Sequence, residues 1–86
     1  MAKLIRKVIP QYPALARQIR VSGVVHLIGI ISKDGKIENL QLVSGHPMLA
    51  AAAMEAVKQW IYQPTLLDGK PVEVIAPIEV KFTLGP

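Results

Sequence analysis

Cysteine is absent from the chain, which excludes a disulfide framework and a thiolate zinc site and leaves the redox compartment unmarked. Aromatic side chains are scarce: Tyr12, Trp60, Tyr62 and Phe82 are all there are. Sheets that bind RNA stack bases on strand aromatics. Here Trp60 and Phe82 fall on core-facing positions and no Lys/Arg-Gly-Phe-Gly-Phe string occurs, so nucleic-acid binding stands only as a runner-up. Acidic residues are missing from residues 1–20, which carry Lys3, Arg6, Lys7, Arg17 and Arg20. The rest of the chain sets five lysines against six acids, so the net charge of +4 comes from the start. Such a segment steers acidic partners, nucleic acid or a membrane surface, or remains a solvated terminus. No apolar run reaches the ~18–20 residues of a membrane span. Met1–Pro10 begins basic but lacks the apolar middle of a signal peptide. Work outside the cytoplasm would need an anchor or export segment beyond this chain.

The makings of catalysis are also missing. His26 and His46 stand twenty positions apart with no paired carboxylate or cysteine at ligand spacing, so they are read as a sheet-face and a helix-start residue. Ser22, Ser32 and Ser44 lack the G-x-S-x-G setting of a hydrolase. The glycines never cluster into a phosphate loop. The expectation is a non-enzymatic protein with no catalytic residue, metal or cofactor.

What the chain does have is apolar patterning. At 51% hydrophobic and 19% charged over 86 residues, it makes one ordered domain near the lower size limit for folding alone. From Pro71 to Leu84 the residues Val72, Val74, Ala76, Ile78, Val80, Phe82 and Leu84 share one parity. Glu73, Ile75, Pro77, Glu79, Lys81 and Thr83 share the other. A period of two over this length predicts a strand with one face on a core. Pro77 has no N–H for a ladder, which assigns the strand to a sheet edge or a bulge. A long apolar edge invites a partner strand, and strand addition is the mechanism it suggests. Proline at Val80 would test that edge if residue 80 turns its N–H outward.

The remaining elements follow in order. Pro13 opens a short helix through about Arg20, with Leu15, Ala16 and Ile19 marking its buried side. Val24–Ser32 is apolar on both faces and reads as a central strand. Asp34-Gly35 turns it into a return strand, Lys36–Ser44, whose phase slips so that a bulge is expected near Glu38-Asn39. Gly29 inside a strand implies a close backbone or a large neighbour filling the space. Met48–Trp60 is the strongest helix, with Leu49, Ala53, Ala56, Val57 and Trp60 on one stripe. Ile61–Leu66 is extended, and Leu67–Lys70 turns it into the final strand. The predicted fold is α+β: a small antiparallel sheet of three to four strands with two helices packed on one face. Residues 1–9 form a flexible basic leader and 10–86 the domain.

The ordered motifs Gln11-Tyr12-Pro13, Gly23-Val-Val, Asp34-Gly-Lys-Ile37, Leu42-Val-Ser-Gly-His-Pro47, an Ala-rich helix ending at Trp60, Tyr62-Gln-Pro64, Asp68-Gly-Lys-Pro-Val72 and Ile78-Glu-Val-Lys-Phe-Thr-Leu84 resemble the C-terminal domain of the TonB family of energy transducers. The resemblance runs from about Pro10 to Leu84. It implies a periplasmic domain whose full-length parent is anchored in the inner membrane. It implies capture of a short segment of an outer-membrane receptor, the TonB box, as an added strand. An ExbB/ExbD-type inner-membrane complex, engaged through the part of the protein before this domain, then drives uptake such as that of siderophores. By the same resemblance, Gln11, Tyr12 and Pro13 lie beside the bound box, and Ile75, Ala76, Pro77, Ile78, Glu79, Val80, Lys81, Phe82 and Thr83 form the receiving strand. Trp60, Tyr62 and Pro64 match structural positions. Gly29, Ala50 and the apolar outer residues Val24, Ile28 and Ile30 depart from the family pattern, the last implying a covered surface. Two alternatives come from other classes: a module that dimerises through the same edge, and a small basic nucleic-acid-binding domain.

Overall fold

The computed structural model describes residues 3–84. In chain order the elements are β1 (Lys3–Arg6), α1 (Ala14–Gln18), β2 (Gly23–Ile31), β3 (Ile37–Ser44), α2 (Pro47–Val57), β4 (Ile61–Gln63), β5 (Thr65–Leu67), β6 (Lys70–Val72) and β7 (Val74–Phe82). The main sheet has the order β3-β2-β7, and β1-β4 and β5-β6 form two small ribbons. All pairings are antiparallel. The fold is α+β, with one core on the inner face of the main sheet.

That core follows from the two periodicities. Val25, Leu27 and Ile31 of β2 and Ile78, Val80 and Phe82 of β7 are buried on alternate positions. Leu49, Ala53, Ala56 and Val57 of α2 meet them at helical spacing, and Trp60 closes the end. His46 caps this helix, its Nδ1 accepting from the Met48 N–H at 3.1 Å, with Pro47 in the first turn. Ala50 is buried, so a carboxylate at this position would lose its water.

The central strand is β2, apolar on both sides as expected. Its outer residues Val24 and Ile28 are exposed. The register with β3 shifts between Ile28 and Ile30, opposite Gln41 and Glu38, where Asn39 takes φ 50°. This is the expected bulge; a second shift lies between His26 and Leu27. Leu40 fills the space over Gly29, its Cδ1 lying 3.2 Å from where a Cβ would stand.

The β2–β3 turn is tied down by its own side chains. Ser32 Oγ donates to Asp34 Oδ1 and accepts from the Lys36 N–H at 3.0 Å. The Ser32 hydroxyl first, and then Asp34's own backbone amide, hold the Asp34 carboxyl below the usual carboxylate range. A depressed folded pKa adds stability that is fully present above the unfolded value, about 3.9, and is lost as pH falls through the folded one. The melting temperatures of the wild type and Asp34→Asn should therefore differ near neutrality and converge in acid; a constant gap would show that ionisation is irrelevant.

Three sequence expectations are corrected. The leader is not free along its length: β1 pairs with β4, and the Val8 carbonyl accepts from Trp60 Nε1 at 2.9 Å. Nothing in its irregular sequence announces that pairing, because a strand this short shows no period. Met1 and Ala2 of the leader, and Gly85 and Pro86 of the domain, lie outside the described residues. Secondly, α1 is one turn and a half, with Ala16 buried but Leu15 and Ile19 more than half exposed. Ile19 has already left the helix, so three- and four-residue spacing no longer applies to it. Thirdly, the final strand is broken at Glu73: Val72 belongs to β6, across from Thr65, and β7 starts at Val74. Parity runs through the break, so alternation alone could not reveal it. Thr83 and Leu84 follow the end of β7.

Candidate functional site, the open edge of β7

Strand β7 pairs with β2 from Gly23↔Phe82 to Ile31↔Val74 without a register shift. No other strand pairs with it among the described residues. Pro77 sits at mid-strand opposite Ile28, at an edge, as expected, and without a bulge. A proline fits an unbroken ladder only where its nitrogen faces away from the neighbour. Because successive residues alternate direction, this sets the phase of the whole edge. Ile75, Glu79 and Lys81 turn both N–H and C=O outward, and Pro77 turns its C=O outward. Ala76, Ile78, Val80 and Phe82 bond to β2. Val80 is therefore the wrong place for a proline probe, and Glu79 is the right one.

Two clefts follow this edge. One, of about 490 Å³, is lined by Glu79, Val80 and Lys81 and by Lys7, Ile9, Pro10 and Trp60; it includes no residue of β2 or β3. The other, of about 500 Å³, is lined by Val74, Ile75, Ala76 and Pro77 with Tyr62 and Thr65, and it also reaches Ile31 of β2. Thus the leader and the β4–β5 segment form a second wall facing the strand. Lys7 Nζ lies 5.8 Å from the Trp60 ring centroid, so the wall at this end is basic as well as apolar. Glu79 lies 3.9 Å from His26 Nδ1 and 4.0 Å from Lys81 Nζ. All three are well exposed, so these pairs contribute little stability. Burial pushes the Tyr62 hydroxyl up from its ordinary pKa, consistent with a neutral, apolar-sided wall.

The Gln11-Tyr12-Pro13 segment is divided in its surroundings. Tyr12 Oη donates to the Val21 carbonyl, and its ring meets Phe82 edge-on at 5.5 Å between centroids. The Arg17 guanidinium lies over the same ring at 5.5 Å. Tyr12 therefore straps the leader to the end of β7. Gln11 and Pro13 line a different cleft, of about 470 Å³, against Ala52, Glu55 and Ala56 of α2 and Gln59 just beyond it. Ile9 borders both that cleft and the edge cleft. Trp60 and Tyr62 hold the second wall in place: Trp60 through Val8, and Tyr62 through its N–H to the Gly35 carbonyl at 2.8 Å. Pro64 separates β4 from β5.

Reading the sequence alone missed Lys7, Ile9, Pro10 and Thr65 as residues of the edge clefts. The only available signal was Pro10 beside Gln11-Tyr12, since the contacts that bring the leader to β7 are long-range.

Comparison with known proteins agrees with this architecture. The family described as Gram-negative bacterial TonB protein C-terminal matches residues 8–84. Protein TonB of Klebsiella pneumoniae is 34% identical over 85 residues, covering 96% of this chain and 33% of that protein. Protein TonB of Vibrio cholerae is 36% identical over 77 residues, 87% of this chain and 32% of its own length. The chain thus spans about a third of these relatives. The solution structure of the Pseudomonas aeruginosa TonB C-terminal domain superposes with a TM-score of 0.82 at 26% identity, covering 99% of this chain and 88% of that one.

Proposed function

We propose that this chain, which belongs to the family of TonB protein C-terminal domains, captures the TonB box of an outer-membrane receptor as a strand added to β7. The observation that carries this reading is the open side of β7: unbroken in register, without a strand partner on that side among the described residues, and faced by a second wall. An extended guest entering between the walls meets the outward N–H groups of Ile75, Glu79 and Lys81 and the outward carbonyls. Each backbone bond contributes about 0.5–1.5 kcal/mol net. Apolar guest side chains fit beside Ile75 and Pro77, and polar ones beside Glu79 and Lys81. The leader wall supplies the other contact surface, and Tyr12 keeps that wall docked.

On this reading the domain is a non-enzymatic grip at the periplasmic end of an energy transducer. Its full-length parent is anchored in the inner membrane and receives force from an ExbB/ExbD-type complex through its preceding part. The force opens receptors for uptake of iron chelates or similar cargo.

Titration of the domain with a TonB-box peptide, followed by amide chemical shifts, tests it. Shifts are expected along Val74–Phe82 and Lys7–Tyr12, and none with a scrambled peptide. Glu79→Pro removes one outward donor and should weaken the peptide about two- to tenfold with the fold kept, whereas Val80→Pro should disturb the β2 ladder itself. Shifts that follow dilution and ignore peptide would give the edge to self-pairing and make the domain a dimerisation module.

A further inference from the structure

We propose that Pro77 selects a foreign strand over a second copy of this chain at the β7 edge; the inference rests on the strand-addition reading above. An exposed edge nine residues long, carrying Ile75 at 73% exposure, should pair with its own kind as readily as with a guest. The central proline makes the two partners unequal.

A two-fold self-pairing is isologous, so each copy brings the same outward row: Ile75, Pro77, Glu79 and Lys81. In every antiparallel register that pairs three or more residues of this row, the proline of each copy lies opposite an outward residue of the other. The missing donor is therefore counted twice in a homodimer. A guest strand with its own full set of N–H groups meets it once. Each absent bond changes an equilibrium constant about two- to tenfold. Relative to an uninterrupted edge, guest capture loses that factor, and self-pairing loses its square. The chain keeps a sticky edge for its partner while weakening the one contact that would compete for it. The guest residue facing Pro77 keeps one bond, its N–H to the Pro77 carbonyl, while its own carbonyl meets no donor.

Pro77→Val restores the outward N–H with a residue suited to strands. Dimerisation, measured by sedimentation equilibrium over a dilution series, should tighten by about the square of the factor by which TonB-box peptide binding tightens. Glu79→Pro runs the same comparison in reverse, with self-pairing weakened by the square of the loss in peptide binding. Equal factors for dimer and peptide in both folded variants, or a dimerisation constant that ignores residue 77, would overturn the proposal. Peptide shifts that miss β7 altogether would instead sink the strand-addition reading, and are seen with the wild type before any variant is made.

Discussion

Gly35→Ala is expected to leave the domain marginally folded at best. Gly35 has φ +87°, and a Cβ there would stand 1.9 Å from the Tyr62 carbonyl oxygen and 3.0 Å from its carbon. Both are backbone atoms, so no side chain can swing aside. The Gly35 carbonyl also accepts the Tyr62 N–H, next to the Lys36–Ile61 bridge. A methyl group at this position must push β4 away and break that bond. Left-handed strain of about 1–3 kcal/mol and a lost bond of about 0.5–1.5 kcal/mol come on top of the clash. The total, on the order of 3–5 kcal/mol, is a large part of the roughly 5–10 kcal/mol a domain of this size possesses. Gly69→Ala is the control: φ is +79° but nothing lies within 4 Å of the new Cβ, so only the backbone strain of about 1–2 kcal/mol applies. Urea denaturation of the two variants should show the difference; equal losses would mean that the turn and β4 are not clamped together.

Trp60→Ala should cost a similar amount by another route. Trp60 is 6% exposed and packs in the core at the end of α2. Removing a buried aromatic of this size costs about 3–5 kcal/mol. The indole N–H also holds the Val8 carbonyl across 52 positions of chain, so the variant should release the leader from β7. Trp60→Phe separates the effects, keeping most of the apolar volume while leaving the Val8 carbonyl without its donor. Its stability should fall by only about 1–3 kcal/mol, yet amide exchange around Leu4–Val8 should accelerate and TonB-box binding weaken. Unchanged exchange there in Trp60→Phe would show that the leader is held by other contacts.

Much of the candidate site could be read from residues alone. Alternation from Val74 to Phe82 identified a half-buried strand, and Pro77 placed it at an edge. Both signals are local, set by the two-residue pleat and by a missing N–H. The bulge at Asn39 and the packing over Gly29 were likewise visible as a slipped phase and an oddly placed glycine. The exposure of Leu15 and Ile19 was not, because a helix of five residues takes its orientation from docking and not from its own pattern.

By itself, then, the sequence determined the β2–β3 hairpin, the two-sided apolar character of β2, the core stripe of α2 and the family to which the chain belongs, since periodicity, turn chemistry and motif order are properties of neighbours along the chain. Only the tertiary structure decided that the strand starts at Val74 and not Val72, that Val80 faces β2 while Glu79 faces outward, and that Lys7, Ile9 and Pro10 stand opposite the edge as a wall. Those outcomes depend on register with β2 and on single long-range contacts such as Trp60 with Val8, and residues so far apart leave no periodic trace of their meeting.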